Sequence, residues 1–248
     1  MTVGLEPLIA DPDSLALAAA ALRAGTVVAI PTDTVYGLAA DPSQPQAVER
    51  LFALKKRPSD VALPVLVAGR EQVSAVAGPL DGAAERLAGR YWPGPLTLVV
   101  PRRPSFTADL GGPPSARQTV GVRWPDHLVV QALCRELGPL AVTSANRHGG
   151  PPATRAAAVA EVFAGEPELT LILDGGLCDG APSTVVEYRG TALRCLRRGA
   201  IPWSDLQEGA RGEPDRGSGG PLGAVMPTAR SQGSHVPDPL PSPKGPVD

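Results

Sequence analysis

Residues 11–38 read DPDSLALAAAALRAGTVVAIPTDTVYGL. The first half has the marks of a helix. Asp11 stands at an N-cap position, Pro12 suits the first turn, and Gly25 follows the end. Residues 26–31 (TVVAIP) then form an apolar, β-branched run, the pattern of a buried strand. Beyond the strand come Thr32, Asp33, Thr34, Val35, Tyr36, Gly37 and Leu38, which cluster hydroxyls, a carboxylate and a phenol. Ligands of open α/β sheets bind beyond the carboxyl ends of strands, so this cluster is a candidate site. It fits an ordinary turn equally well, with Thr and Asp satisfying local backbone groups and Gly37 taking a positive φ.

The alternation continues along the chain. Helices are predicted over 45–55, 71–77, 82–91, 127–137 (capped by Asp126) and 155–164. Strands are predicted over 63–68, 96–101, 119–123, 140–143 and 169–174, and a closing hairpin over 184–188 and 192–197 around Arg189-Gly190. This order predicts an α/β domain with a twisted mixed β-sheet and flanking helices. Residues 209–248 hold 8 Pro and 8 Gly and no Phe, Tyr or Trp, which reads as a disordered tail. One catalytic domain over 1–208 is the resulting expectation.

Composition narrows the function. Of 248 residues 43% are apolar, enough for one sizeable core, and the net charge is −2. That balance excludes a strongly cationic protein that coats nucleic acid or membrane without specificity, though not a local basic pocket. Three Cys and three His are scattered, so neither a disulfide framework nor a metal site is expected. No stretch approaches the ~20 apolar residues of a membrane span. A soluble, cytoplasmic protein is the expectation. The phosphate loop GxxxxGK[ST], GxGxxG after a strand, HExxH and GxSxG are all missing from the sequence.

Four further segments could carry chemistry. Residues 51–58 (LFALKKRP) end a helix; Pro58 favours an extended Arg57, which would present Lys55 and Arg57 together to one anion with Lys56 turned away. The alternative is that these cations merely offset the helix dipole. Ser144 and Asn146 follow a strand and suit phosphate, ribose or an amide, or form a simple turn. Arg123 ends a strand as a surface cation or a carboxylate clamp. Residues 91–97 (YWPGPLT) form a rigid turn that reads as scaffold.

Taken in order, the motifs PTDTVYGL (31–38), Lys55-x-Arg57-Pro58, YWPGPLTLV (91–99), VGVRWPDH (120–127), TSAN (143–146), STVV (183–186) and LRRGAI (196–201) resemble the YrdC-like family, the threonylcarbamoyl-AMP synthases of tRNA modification. The resemblance implies a single YrdC-like domain with a concave basic ligand cleft. It implies that L-threonine, bicarbonate and ATP, with Mg²⁺, give threonylcarbamoyl-AMP, pyrophosphate and water. A downstream tRNA threonylcarbamoyltransferase system then modifies adenosine 37 of ANN-decoding tRNAs, and direct tRNA or dsRNA binding is left open. The carry-over places Lys55, Arg57, Thr119, Ser144, Asn146 and Arg197 at ATP, with Lys55 and Arg57 catalytic, and Thr34, Arg123 and Ser183 at threonine. It assigns no resident metal ligand. The chain departs from the family pattern at Val61-Ala62, Leu66, Pro151-Pro152 and Arg198. The competing readings are an RNA-binding module and a divergent relative that adenylates another carbamoyl or acyl substrate.

Overall fold

The computed structural model describes residues 5–56, 61–178, 180–190 and 192–211. The strands are β1 (Leu8–Ile9), β2 (Val27–Ile30), β3 (Gly37–Ala40), β4 (Val65–Leu66), β5 (Leu96–Pro101), β6 (Thr119–Arg123), β7 (Leu140–Ser144), β8 (Leu169–Asp174), β9 (Thr184–Arg189) and β10 (Ala192–Arg197). The helices are α1 (Pro12–Arg23), α2 (Pro45–Lys55), α3 (Arg70–Val76), α4 (Gly82–Tyr91), α5 (Leu128–Leu137), α6 (Ala156–Val162) and α7 (Trp203–Arg211), with a 3-10 turn at Pro114–Gln118. The strands join in one mixed sheet of order β1-β8-β2-β3-β7-β4-β6-β5-β9-β10. The α/β architecture therefore agrees with the sequence pattern.

The two faces of the sheet are treated differently, and this difference makes the site. In β2, Val27 and Ala29 enter one core while Val28 and Ile30 enter another on the opposite face. Burial on both faces is why that strand carries no polar side chain. The first core extends across the sheet under Leu51 of α2, Leu87 of α4, Val159 of α6 and Leu206 of α7. Each such fully buried Leu contributes about 1.5–3 kcal/mol relative to exposure. The second core lies under Leu22 of α1 and Leu133 of α5, and its strand residues come from β2, β3, β4, β7 and β8. From β6, β5 and β9 it takes none. Those strands send Val120, Val122, Leu98, Val100, Val186 and Tyr188 into the first core. Their alternate residues are left facing a side that the second helical layer does not reach.

Several local expectations are corrected. Gly37 opens β3 without a positive φ; glycine is needed there because a Cβ would lie 2.6 Å from Val142 Cγ1 in neighbouring β7. The N-cap of α5 is His127, not Asp126, and it makes no side-chain capping bond. The run at 63–68 yields only the two-residue β4; Pro64 has no N–H for a ladder. The two-residue strand β1 and the helix α7 are not among the predicted elements. Helix α7 takes Gly209–Arg211 out of the expected disordered tail: Ala210 is buried and its carbonyl accepts Arg86 Nε at 3.0 Å. The rest of that expectation, 212–248, lies outside the described residues. The cap of α1 is as read, with Asp11 and Ser14 forming a reciprocal capping box. The Ser14 N–H holds the Asp11 carboxyl below the usual range.

Candidate active site

A cavity of about 590 Å³ opens on the uncovered side of the sheet. Thr97 and Val99 of β5, Thr119, Gly121 and Arg123 of β6, and Val185 of β9 line it, all alternate residues to those in the first core. Thr34, Ser144, Ser183 and Arg197, chosen from sequence, line the same cavity from the loop after β2, the end of β7, the start of β9 and the end of β10. Lys55 and Asn146 stand directly behind Ser144. Arg57 lies outside the described residues.

Arg123 is 6% exposed and held on three sides. Its Nε donates to Gly94 O at 3.1 Å, Nη1 to Thr34 Oγ1 at 3.0 Å and Nη2 to Asp33 Oδ1 at 2.5 Å. Burial pushes the guanidinium pKa down and the Asp33 charge opposes that shift. The rigid turn at 91–97 supplies the Gly94 carbonyl, and Trp92 Nε1 fixes the turn by donating to Leu96 O at 2.7 Å. Asp33 does not line the cavity, so it acts as a buried counter-ion behind the arginine. Its second oxygen, Oδ2, is buried without a hydrogen-bond partner.

Lys55 closes a second cluster. Helix α2 ends with Lys56 in the left-handed region at φ 49°, exposed to solvent, while Lys55 turns inward and is 3% exposed. Lys55 Nζ donates to Ser144 O at 2.7 Å, Asn146 Oδ1 at 3.1 Å and Ser144 Oγ at 3.3 Å. Ser144 Oγ donates to Asn146 Oδ1 at 2.6 Å. Asn146 Nδ2 donates to Arg147 O at 2.8 Å and Gly150 O at 2.7 Å, which also fixes the orientation of the amide. The cation thus meets the cavity through Ser144.

Ser183 and Arg197 form the third cluster. Arg197 Nη2 donates to Ser183 O and to Ser183 Oγ, each at 2.9 Å, and Ser183 Oγ pairs with Thr97 Oγ1 at 2.9 Å. Gly199 allows the strand ends to approach. A Cβ there would lie 2.2 Å from Pro182 O and 2.5 Å from Ser183 C. Gly199→Ala is therefore expected to cost about 1–3 kcal/mol of stability, as overpacking against backbone does. Urea unfolding of this variant measures the loss, and an unchanged midpoint would show that the strand ends are not held this closely.

The cavity wall is mixed. Arg123, Arg189 and Arg197 bring three guanidinium groups against one carboxylate, Glu187, which pairs with Arg189 at 2.7 Å. Thr119 lies at the start of β6, where its Oγ1 makes a long bond to Ala116 O at 3.4 Å. Val61, Leu66, Val142 and Val185 form an apolar wall. Tyr36 turns its hydroxyl away from the cavity, donating to Gly176 O at 2.8 Å. Its burial raises the phenol pKa to about 12, so it is neutral at physiological pH. Sequence reasoning missed Thr97, Gly121 and Glu187, although the period-two pattern of TVGVR put Thr119, Gly121 and Arg123 on one face. Among the described residues, no group of three or more His, Cys, Asp or Glu could hold a metal ion, and no helix is long and apolar enough to cross a membrane. The arrangement suits an anionic or zwitterionic ligand, with planar donors for carboxylate or phosphate oxygens.

Comparison with known proteins gives a consistent picture. The Sua5/YciO/YrdC family model, described as Telomere recombination, matches residues 20–199. A threonylcarbamoyl-AMP synthase of Pyrococcus abyssi is 40% identical over 195 residues, covering 77% of this chain and 56% of the relative. One of Chromohalobacter salexigens is 38% identical over 185 residues, covering 73% of this chain and 97% of the relative. A crystal structure of P. abyssi Sua5 complexed with L-threonine superposes with a TM-score of 0.69 at 38% identity, covering 79% of this chain and 56% of that one. The chain thus spans little more than half the length of the Pyrococcus relative.

Proposed function

Because the chain belongs to the Sua5/YciO/YrdC family, we propose that it is a threonylcarbamoyl-AMP synthase, converting L-threonine, bicarbonate and ATP to threonylcarbamoyl-AMP, pyrophosphate and water. The observation that carries this reading is the convergence of Thr34, Arg123, Ser144, Ser183 and Arg197, from segments far apart in sequence, on one cavity. A site of this kind has no need of a covalent nucleophile. Its work is to hold an amino acid beside a nucleotide and to stabilise charge on phosphorus.

Threonine's carboxylate sits on Arg123, with Thr34 and Ser183 taking its other polar groups. The amine and bicarbonate give the carbamate with loss of water. A carbamate oxygen attacks the α-phosphorus of ATP and pyrophosphate leaves. Thr119, Ser144, Asn146 and Arg197 hold the nucleotide, while Lys55 and Arg57 offset the charge that develops on the phosphoryl group. ATP enters as its Mg²⁺ complex, since Mg²⁺ is bound mainly through phosphates and water. The product then passes to a tRNA threonylcarbamoyltransferase that modifies adenosine 37, a reaction we assign to the cytoplasm.

The test is pyrophosphate release by the purified protein with MgATP, with the nucleotide products weighed by mass spectrometry. Release that requires both L-threonine and bicarbonate, with a threonylcarbamoyl-AMP mass, is expected. Release that ignores threonine but follows another amine or acyl donor would instead identify a divergent adenylating relative.

A further inference from the structure

Glu187 carries no role in the proposed chemistry, yet it is the one carboxylate among the described residues that line the cavity. Its side chain is 10% exposed, and its Oε1 accepts Arg189 Nη2 at 2.7 Å. Among the described residues Oε2 makes no hydrogen bond, and unlike Asp33 Oδ2 it is not shut off from solvent. Glu187 also stands in a defined row. It pairs in register with Val99 of β5, and Val99 pairs with Gly121 of β6. All three line the cavity, so Gly121, which has no side chain, and Val99 form a low apolar shelf that ends at the carboxylate. On the other side Arg194 of β10 faces Glu187 across the hairpin.

We infer that Glu187 is the ribose-binding residue of the cavity, its Oε2 accepting the sugar hydroxyls of ATP and so fixing which way round the nucleotide lies. This rests on the proposed synthase reading for the position of the α-phosphorus. From Ser144 on β7 the sheet order β7-β4-β6-β5-β9 takes four steps to Glu187, about 19 Å at roughly 4.8 Å per step. Arg123 on β6 lies two steps from each, so an amino acid held there places the α-phosphorus between them. A carboxylate repels phosphate oxygens, whereas Lys55 attracts them. The pyrophosphate end therefore lies towards β7, and the adenosine end over the shelf of β6, β5 and β9. A carboxylate there needs donors. The vicinal ribose hydroxyls supply two, the use made of an acidic residue in dinucleotide sites. Adenine sets its N6 amine beside the N1 acceptor, which a carboxylate would leave unpaired. Arg189 on Oε1 and Arg194 opposite make the group a poor seat for Mg²⁺ and a good one for neutral donors.

The experiment is calorimetric titration of the full chain with ATP and with 2′,3′-dideoxy-ATP, with Mg²⁺ present and without threonine or bicarbonate. The wild type should bind ATP about tenfold tighter, the effect of a hydrogen bond to a charged group. Glu187→Ala should bring the two Kd values within about twofold of each other by weakening ATP alone. Glu187→Gln, an uncharged acceptor of the same shape, should keep a ratio of about threefold. A wild type that binds neither nucleotide, or binds the two equally, overturns the inference, as does a Glu187→Ala ratio equal to wild type. A Glu187→Ala defect that disappears when Mg²⁺ is left out makes the carboxylate a metal ligand and also overturns it. So does a loss of preference for ATP over GTP with the dideoxy ratio intact, which makes Glu187 a reader of the base. Should Glu187→Ala not fold, Glu187→Gln serves, and a full wild-type ratio in that variant overturns the inference. The pyrophosphate assay keeps the two readings apart. A chain that prefers ATP to dideoxy-ATP but releases no pyrophosphate with threonine and bicarbonate loses the synthase reading while the ribose assignment stands. Turnover with equal Kd values removes only the role of Glu187.

Discussion

Arg123→Leu is expected to abolish threonine-dependent pyrophosphate release and to lower stability by about 3–5 kcal/mol, the range for removing one partner of a buried ion pair. The side chains of Arg123 and Asp33 are only 7% and 13% exposed. Taking away the cation strips the largely buried Asp33 carboxylate of its charge partner, and its Oδ2 is already without a hydrogen bond. It also frees Thr34 Oγ1 and Gly94 O at once. Arg123→Lys keeps the charge but not the planar fork, and one ammonium cannot serve three acceptors set around a guanidinium. Its threonine KM should rise while much of the stability survives. Adding Asp33→Asn to Arg123→Leu should recover part of the stability, by removing the orphaned charge, without recovering activity. Urea unfolding and threonine kinetics on these variants separate the two roles. An Arg123→Leu protein as stable as wild type would mean that the pair is not buried in solution.

How far this arrangement was legible differs from residue to residue, for physical reasons. Strand β2 and helix α2 declared themselves because their patterns are local: an apolar run in one, leucines on one face in the other. Arg123 was legible as either a surface cation or a carboxylate clamp, and its burial rules out the first. Its counter-ion was not, since Asp33 looked like a turn residue and only the pairing of distant strands sets it behind Arg123. Gly37 misled for a related reason. Sequence suggests that a glycine after a polar turn serves backbone freedom, whereas here it serves contact, with β7 packed too closely for a Cβ. The uncovered side of the sheet, where the cavity lies, could not be read from any single strand. It follows from α1 and α5 covering only part of one face, a fact of topology.

Lys55→Met is the companion prediction, with kcat for pyrophosphate release falling about 10²–10³-fold, the range seen when one preorganised donor to a developing charge is lost. Methionine keeps the length and the aliphatic stem, so core packing at the end of α2 is little disturbed. What is lost is the ammonium that donates to Ser144 O, Ser144 Oγ and Asn146 Oδ1. Leaving such buried acceptors short of a donor costs about 1–3 kcal/mol. The effect on kinetics should fall on the nucleotide half of the reaction. Lys55 reaches the cavity through Ser144, whereas the Arg123–Thr34 cluster hangs on Asp33 and Gly94 and does not touch it. The threonine KM of Lys55→Met should therefore stay within about threefold of wild type while kcat collapses, a split that assigns the defect to the transition state and not to amino-acid binding. If instead kcat holds and only the threonine KM rises, Lys55 belongs to the amino-acid pocket, and the division of the cavity between Arg123 and Ser144 must be redrawn.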